Sequence, residues 1–284
     1  MQNLTRTKNF MKKPIFLFPA SPLNSLKIDE MFLDQAQALR DEGFITESID
    51  LYTRTVSDIS KSVPVPGQTY IYRGWMLYEK EYDTLLEMIT AMGGTPFITK
   101  EQYYATHYLP NWYPLVERLT PTTIFKSVEN ADTWIETAKF LTHTGEKIQI
   151  KDYVKSLKTA GGSVITSEDE VETVLTNMQK YRGTIEGGIC LRKWEEFMPN
   201  SEKRYFVLNG KFYSPDSELY DMRAMDILVA VAHMFPIPSP FFSVDIAERQ
   251  DGIFRIVEIG DGQVSDLVQW TSKRFAEIWS GQCA

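Results

Sequence analysis

The chain has 284 residues, 43% of them hydrophobic and 24% charged, which is the balance of an ordinary globular protein and not of a disordered or fibrous one. Its 38 acidic side chains outnumber 30 basic ones, and the formal charge of -8 argues against general affinity for nucleic acid or an anionic membrane. Two cysteines, Cys190 and Cys283, are too few for a disulfide framework and fit a reducing, cytoplasmic setting.

Near the N-terminus a basic stretch precedes the apolar run 15–18, which is too short for a signal sequence and is stopped by Pro19. A first buried strand over 14–18 is expected instead. No segment approaches the roughly 20 apolar residues that a membrane-spanning helix needs. Met31, Phe32, Ala36 and Leu39 fall on one helical face, so a helix is expected over 29–42, ended by Gly43. Residues 44–51 and 69–72 read as strands, 78–92 as a helix closed by Gly93 and Gly94, and 95–99 as a short strand. This alternation predicts an α/β domain with parallel strands over 1–110. The aromatic and proline-rich residues 100–121 read as a connector packed between lobes.

A central lobe is expected over 120–185. It contains a strand at 122–125, a helix at 131–142, a strand at 147–151, a loop with Gly161, Gly162 and Ser163, and a helix at 167–182 capped by Ser167. A C-terminal lobe follows over 186–284. Its strand runs are 188–194, 203–208 and 211–214, the last two joined by Asn209-Gly210, a strong hairpin signal. A helix at 221–234 comes next, then strands at 241–247 and 253–259 joined by a turn with Asp251-Gly252.

The most pointed constellation lies in this last hairpin. Asp245 follows Phe-Phe-Ser-Val and Glu258 follows Ile-Val, so each carboxylate stands in an apolar run where burial is costly without a cation. Two such strands can bring oxygens to one point, as magnesium prefers, and Asp261 could add a third. The alternative is a hairpin whose carboxylates simply face solvent. Lys151 ends a strand beside Lys155, Lys158 and the glycine loop, and is either a phosphate ligand or a solvated surface lysine. Residues 189–197 turn from apolar to charged midway. Such a strand can bind an adenine edge through its backbone while Glu195 or Glu196 accepts from a ribose, or it is an ordinary surface strand. Arg204, in an apolar strand, is either a phosphate or oxyanion ligand or the ion-pair partner of Glu202 or Glu218. His107, His143 and His233 fit no metal spacing.

Taken in order, these features resemble the ATP-grasp superfamily over roughly residues 120–268. They are a strand lysine, a glycine loop, a hinge strand ending in Glu, an E-x-R hairpin with Asn-Gly, and a terminal Asp…Glu hairpin. The ending VEIGDGQVSDL is similar to a small divergent bacterial and phage clade. The resemblance implies an N-terminal α/β domain followed by two α+β lobes that sandwich ATP. It implies ATP and Mg2+ as cofactors, and Lys151 and Lys126 on the phosphates. Lys193 and Trp194 would lie at the adenine and Glu196 at the ribose. Arg204 would face the transferring phosphate, with Asp245 and Glu258 on the metal. The implied reaction joins a small-molecule or peptide carboxylate to an amine through an acylphosphate. Gly260 departs from the E-x-N pattern, and Asp261 is the candidate replacement ligand. Arg73, at the end of a predicted strand, is the candidate grip for the substrate carboxylate, its alternative being a structural Arg stacked on Trp75. A non-catalytic nucleotide-binding module and a kinase-like phosphotransferase are the other readings of the same architecture.

Overall fold

The apolar run after Pro14 forms β1 (Ile15–Ser21), whose first four residues are buried. It lies between β3 (Ile45–Asp50) and β5 (Thr69–Tyr72), parallel to both, and β6 (Thr95–Pro96) continues the sheet beyond β5. Two short strands without a clear periodic signal, β2 (Asn24–Ile28) and β4 (Thr55–Val56), pair antiparallel with β1 and β3. The helices α1 (Leu33–Asp41) and α2 (Glu79–Ala91) bury Leu39, Tyr82, Leu85 and Ile89 against this sheet. A computed structural model of the chain describes residues 13–56, 67–127, 131–154, 163–182, 185–216, 222–234 and 236–283. The predicted Lys155, Lys158, Gly161, Gly162 and Glu218 lie outside them.

Residues 100–121 depart from the expected connector and form α3 (Lys100–His107), α4 (Leu109–Val116) and a 3-10 turn at Glu117–Leu119. Thr99 accepts from the Gln102 N–H while the Gln102 side chain accepts from the Thr99 N–H, a reciprocal cap that starts α3. Pro110, in the first turn of α4, costs no hydrogen bond, whereas Pro114 lies inside this short helix. Leu109, Trp112 and Val116 are buried, so the aromatic content reflects a packed helix face.

A second sheet has the order β7-β10-β8-β9, made of β7 (Thr123–Ser127), β8 (Ile148–Asp152), β9 (Val164–Ile165) and β10 (Gly188–Lys193). Ile148, Ile150, Ile189 and Leu191 face a core shared with α5 (Ala131–His143) and α6 (Asp169–Arg182). The expected lobe boundary at 186 therefore moves past Lys193, since β10 is the inner strand that pairs both β7 and β8.

The third sheet runs β12-β11-β13-β14, from β11 (Lys203–Leu208), β12 (Lys211–Tyr213), β13 (Phe241–Glu248) and β14 (Phe254–Asp261). Asn209 and Gly210 both take positive φ, 51° and 75°, as the tight hairpin turn requires. The helix α7 (Met222–Val229) passes into a π-helical turn at Ala230–Met234. Ala224, Ile227, Leu228 and Val231 cover one face of the sheet together with α4. A last helix, α8 (Ser272–Cys283), was not among the expected elements. Its Phe275 and Trp279 enter the core of the first sheet, and the Trp279 ring lies 5.2 Å from Phe16 and 4.8 Å from Phe241. Each such aromatic contributes about 2–3 kcal/mol on burial, and here the burial joins the first and last parts of the chain. No helix among the described residues is long and apolar enough to cross a membrane.

Candidate nucleotide and metal site

A cleft of about 640 Å³ opens between the second and third sheets, lined on one side by Gln149, Lys151, Arg192, Lys193 and Trp194 and on the other by Arg204, Asp245, Val257 and Glu258. Strand alternation explains the selection. Lys151, Cys190 and Phe125 form one cross-strand row, and Arg192 with Gln149 forms another on the same face of β10 and β8. On the third sheet Arg204 pairs with Asp245, and Asp245 with Glu258, so three charged side chains emerge side by side from neighbouring strands. A bulge follows Asp245, where the register shifts and β14 carries one extra residue, Val257.

The charges are closely matched. Arg204 donates from Nε to Asp245 Oδ1 at 2.7 Å and from Nη2 to Oδ2 at 2.5 Å, while Nη1 donates to the Asp266 carbonyl at 2.8 Å. Burial pulls the Arg204 pKa down, but the hydrogen bonds and charge of Asp245 outweigh it and the net shift is upward. Lys151, almost fully buried, lies 4.0 Å from the Glu258 carboxylate, which remains 39% exposed towards the cleft. Cys190 beside Lys151 is an inert core thiol, pushed up to about 12 by burial.

Two adjacent carboxylates, one of them open to the cleft, fit a magnesium ion that takes its remaining ligands from phosphate and water. Among the described residues no group of three or more His, Cys, Asp or Glu is placed to hold a metal, so the protein offers two carboxylates and no closed cage. Gly260 also has a structural cause. A Cβ there would come within 3.0 Å of Ser265 Oγ and 3.2 Å of Ser243 Oγ, and those two hydroxyls bond each other at 2.7 Å. The hydroxyl pair fills the space a longer side chain would need.

Four expected site residues are placed elsewhere. Asp261 lies across the strand from Glu258, fully buried, and accepts from the Gln263 N–H at 3.0 Å and from Thr106 at 3.4 Å. It is therefore corrected from a third metal ligand to a buried structural acid, raised to about 7 chiefly by burial. Lys126 shares a row with Ile189 and Asp152, on the sheet face opposite to Lys151. Glu196 is exposed and accepts from Lys147 at 3.2 Å, outside the cleft lining. Arg73 is only 1% exposed and is taken up internally. Its Nε donates to Gln35 Oε1 at 2.9 Å, and its Nη1 donates to the Gln263 carbonyl at 3.1 Å. The Arg73 guanidinium stacks over Phe275, not Trp75.

Arg192 and Glu202, which also line the cleft, were missed as site residues, and Glu195 was named only as the alternative to Glu196. Arg192 is 5% exposed, and its guanidinium holds the Val257 carbonyl at 2.6 Å and Thr120 Oγ1 at 2.6 Å. An arginine alternating with Cys190 inside an apolar strand was the available signal. Glu202 lines the cleft in place of Glu196. Glu195 also reaches it, but its two oxygens are held by Arg255 at 3.0 Å each.

Residues 93–280 match a family described as an ATP-grasp domain, family 3 of its clade. No curated protein matches the chain. Among solved structures, D-cycloserine synthetase DcsG is similar with a TM-score of 0.63 at 12% identity, covering 95% of this chain and 100% of that one. D-alanyl-alanine synthetase A from Vibrio cholerae O1 biovar eltor gives 0.62 at 13%, covering 96% and 97%. Macrocyclase MdnC, bound with precursor peptide MdnA from Microcystis aeruginosa MRC, gives 0.59 at 14%, covering 94% and 99%. At these identities the likeness establishes the fold.

Proposed function

Because the chain belongs to this ATP-grasp domain family, we propose that it is an ATP-dependent carboxylate–amine ligase working through an acylphosphate. The observation that carries this reading is the paired emergence of Asp245 and Glu258 opposite Lys151, with Arg204 beside them. ATP would lie in the cleft with its base at Lys193 and Trp194, its sugar towards Glu202, and its phosphates between Lys151 and Arg204. Asp245 and Glu258 would hold magnesium, which when bound neutralises phosphate charge.

Catalysis then rests on position and charge. The substrate carboxylate oxygen attacks the γ-phosphorus, and the bond to the β,γ-bridging oxygen breaks, releasing ADP. Lys151 and Arg204, fixed on opposite walls, offset the negative charge on the transferring group. The amine nitrogen then attacks the acyl carbon, phosphate leaves with the former carboxylate oxygen, and the nitrogen loses a proton to solvent. Similar structures include a D-alanyl-alanine synthetase and a macrocyclase bound to a precursor peptide, which supports small-molecule or peptide substrates. The acidic excess in composition fits that class better than nucleic acid.

A second reading, nucleotide binding without turnover, is favoured by one observation: Arg204 occupies both Asp245 oxygens. Incubation with ATP, magnesium and pools of carboxylates and amines separates the readings. Amine-dependent release of ADP and phosphate supports the ligase. Saturable binding without ADP supports the module, and ADP with a stable phosphorylated product supports a phosphotransferase.

A further inference from the structure

The carboxyl ends of β1 and β5 form the crevice where parallel sheets of this kind receive ligands. In this chain the crevice is filled from within. Gln263, 2% exposed, is inserted there by the turn that follows β14. Its Oε1 accepts from the Tyr72 N–H at 3.3 Å, its Nε2 donates to Tyr82 Oη at 3.0 Å, and its carbonyl accepts from the Gly74 N–H at 3.1 Å. Asp261 steadies the insertion, accepting from the Gln263 N–H and, at 3.2 Å, from Nε2. Arg73 closes it from above through the Gly262 and Gln263 carbonyls.

Beyond the insertion the same segment reaches the cleft. The Asp266 carbonyl accepts from Arg204 Nη1 at 2.8 Å, and Gln269 Oε1 accepts from the Arg204 N–H at 3.4 Å. Residues 263–269 therefore run as a strap from the N-terminal sheet to the arginine that grips Asp245. We propose that Gln263 is a positioning residue: by anchoring this strap it fixes Arg204, and through Arg204 the Asp245 carboxylate, relative to the N-terminal domain. The proposal rests on the nucleotide and metal reading of the cleft and adds a residue some distance from it. Sequence spacing gives no sign of it, because its partners are 181 and 191 residues away.

The test is binding of Mn2+ with ADP to the full chain, followed by the Mn2+ electron paramagnetic resonance signal, beside ADP affinity without metal and a thermal melt. Gln263→Met keeps the volume and removes the side-chain hydrogen bonds. The strap predicts Mn2+–ADP affinity weakened about tenfold with metal-free ADP affinity unchanged, since ADP lacks the transferring phosphate that Arg204 faces, at the low end of losses when a group orienting a metal ligand is removed. Tyr82→Phe, which deletes one acceptor, is predicted to move the same difference by about threefold, as one lost hydrogen bond of under 1 kcal/mol would, and serves if Gln263→Met does not fold. A lower melting temperature with unchanged Mn2+–ADP affinity in the folded variant would show a purely structural residue and overturn the strap alone. Failure of the wild type to bind Mn2+–ADP would overturn the nucleotide reading and the strap with it.

Discussion

Arg204 and Asp245 face each other across β11 and β13 in a two-pronged ion pair, with Nε–Oδ1 at 2.7 Å and Nη2–Oδ2 at 2.5 Å. The pair joins a cation expected to face phosphate with an anion expected to face magnesium, so the two roles are mechanically linked. Glu258, next to Asp245 on β14, carries no such constraint and keeps its carboxylate towards the cleft.

That difference separates two variants that sequence alone treats alike. Glu258→Gln is predicted to lose no more than about 1 kcal/mol of stability, since its half-exposed carboxylate meets buried Lys151 only at 4.0 Å, and to lose ATP turnover about a hundredfold or more, as when one preorganised charge contact is removed. Asp245→Asn is predicted to lose turnover equally and also about 3–5 kcal/mol of stability, because a largely buried guanidinium loses its counter-charge. Thermal melts beside ADP production check both. Equal stability of the two variants would contradict the role given to Arg204.

Lys151 is buried behind Glu258, on the wall of the cleft that faces Arg204. Lys151→Met is predicted to weaken ATP binding about 10- to 100-fold, the loss of one charge-assisted hydrogen bond of about 1.5–3 kcal/mol. Calorimetric titration with ATP and magnesium measures it.

Arg73 is predicted to matter for stability and not for gripping a substrate. Arg73→Met leaves the Gly262 and Gln263 carbonyls and Gln35 without their donor, at a cost of about 1–3 kcal/mol. The melting temperature should fall while calorimetric ATP affinity measured without metal stays within about threefold, a change of under 1 kcal/mol.

The buried Asp261 gives stability a pH dependence of known sign. Its carboxyl ionises at about 7 in the folded chain against an ordinary 3.8, with burial as the leading cause. Between those values the folded chain holds a proton that the unfolded chain has released, so stability falls as pH rises through the window and levels off above it. Arg73, Tyr82, Tyr103, Gln263 and Thr106 are the charged and polar groups facing it. Asp261→Asn removes this titration, and denaturant unfolding at about pH 5 and about pH 8 should show a smaller loss in the variant than in the wild type.

Much of the architecture was legible because it is local. Apolar runs and glycine stops marked β1, α1 and α2, and Asn209-Gly210 marked the β11–β12 hairpin, since only a turn with positive φ at both positions closes it. Strand pairing was harder. Lys126 and Lys151 both end strands, yet the register against β10 sends them to opposite faces, and a one-residue difference in register is invisible before the partner strand is known. Asp261 failed for the same reason: three residues beyond Glu258 is the other side of the strand. Arg73 and Gln263 meet across nearly two hundred residues, where spacing carries no information. The cleft pair Asp245 and Glu258 was readable because each carboxylate interrupts an apolar run, and pairing strands then bring them together.

The central claim is tested most directly by phosphate and ADP release from ATP, magnesium, a carboxylate pool and an added amine, comparing wild type with Glu258→Gln. Amine-dependent release by the wild type that vanishes in the variant, while the variant still melts cooperatively as a folded protein, is the predicted result. Equal release by the folded Glu258→Gln variant would contradict the placing of the metal and phosphate chemistry at Asp245 and Glu258.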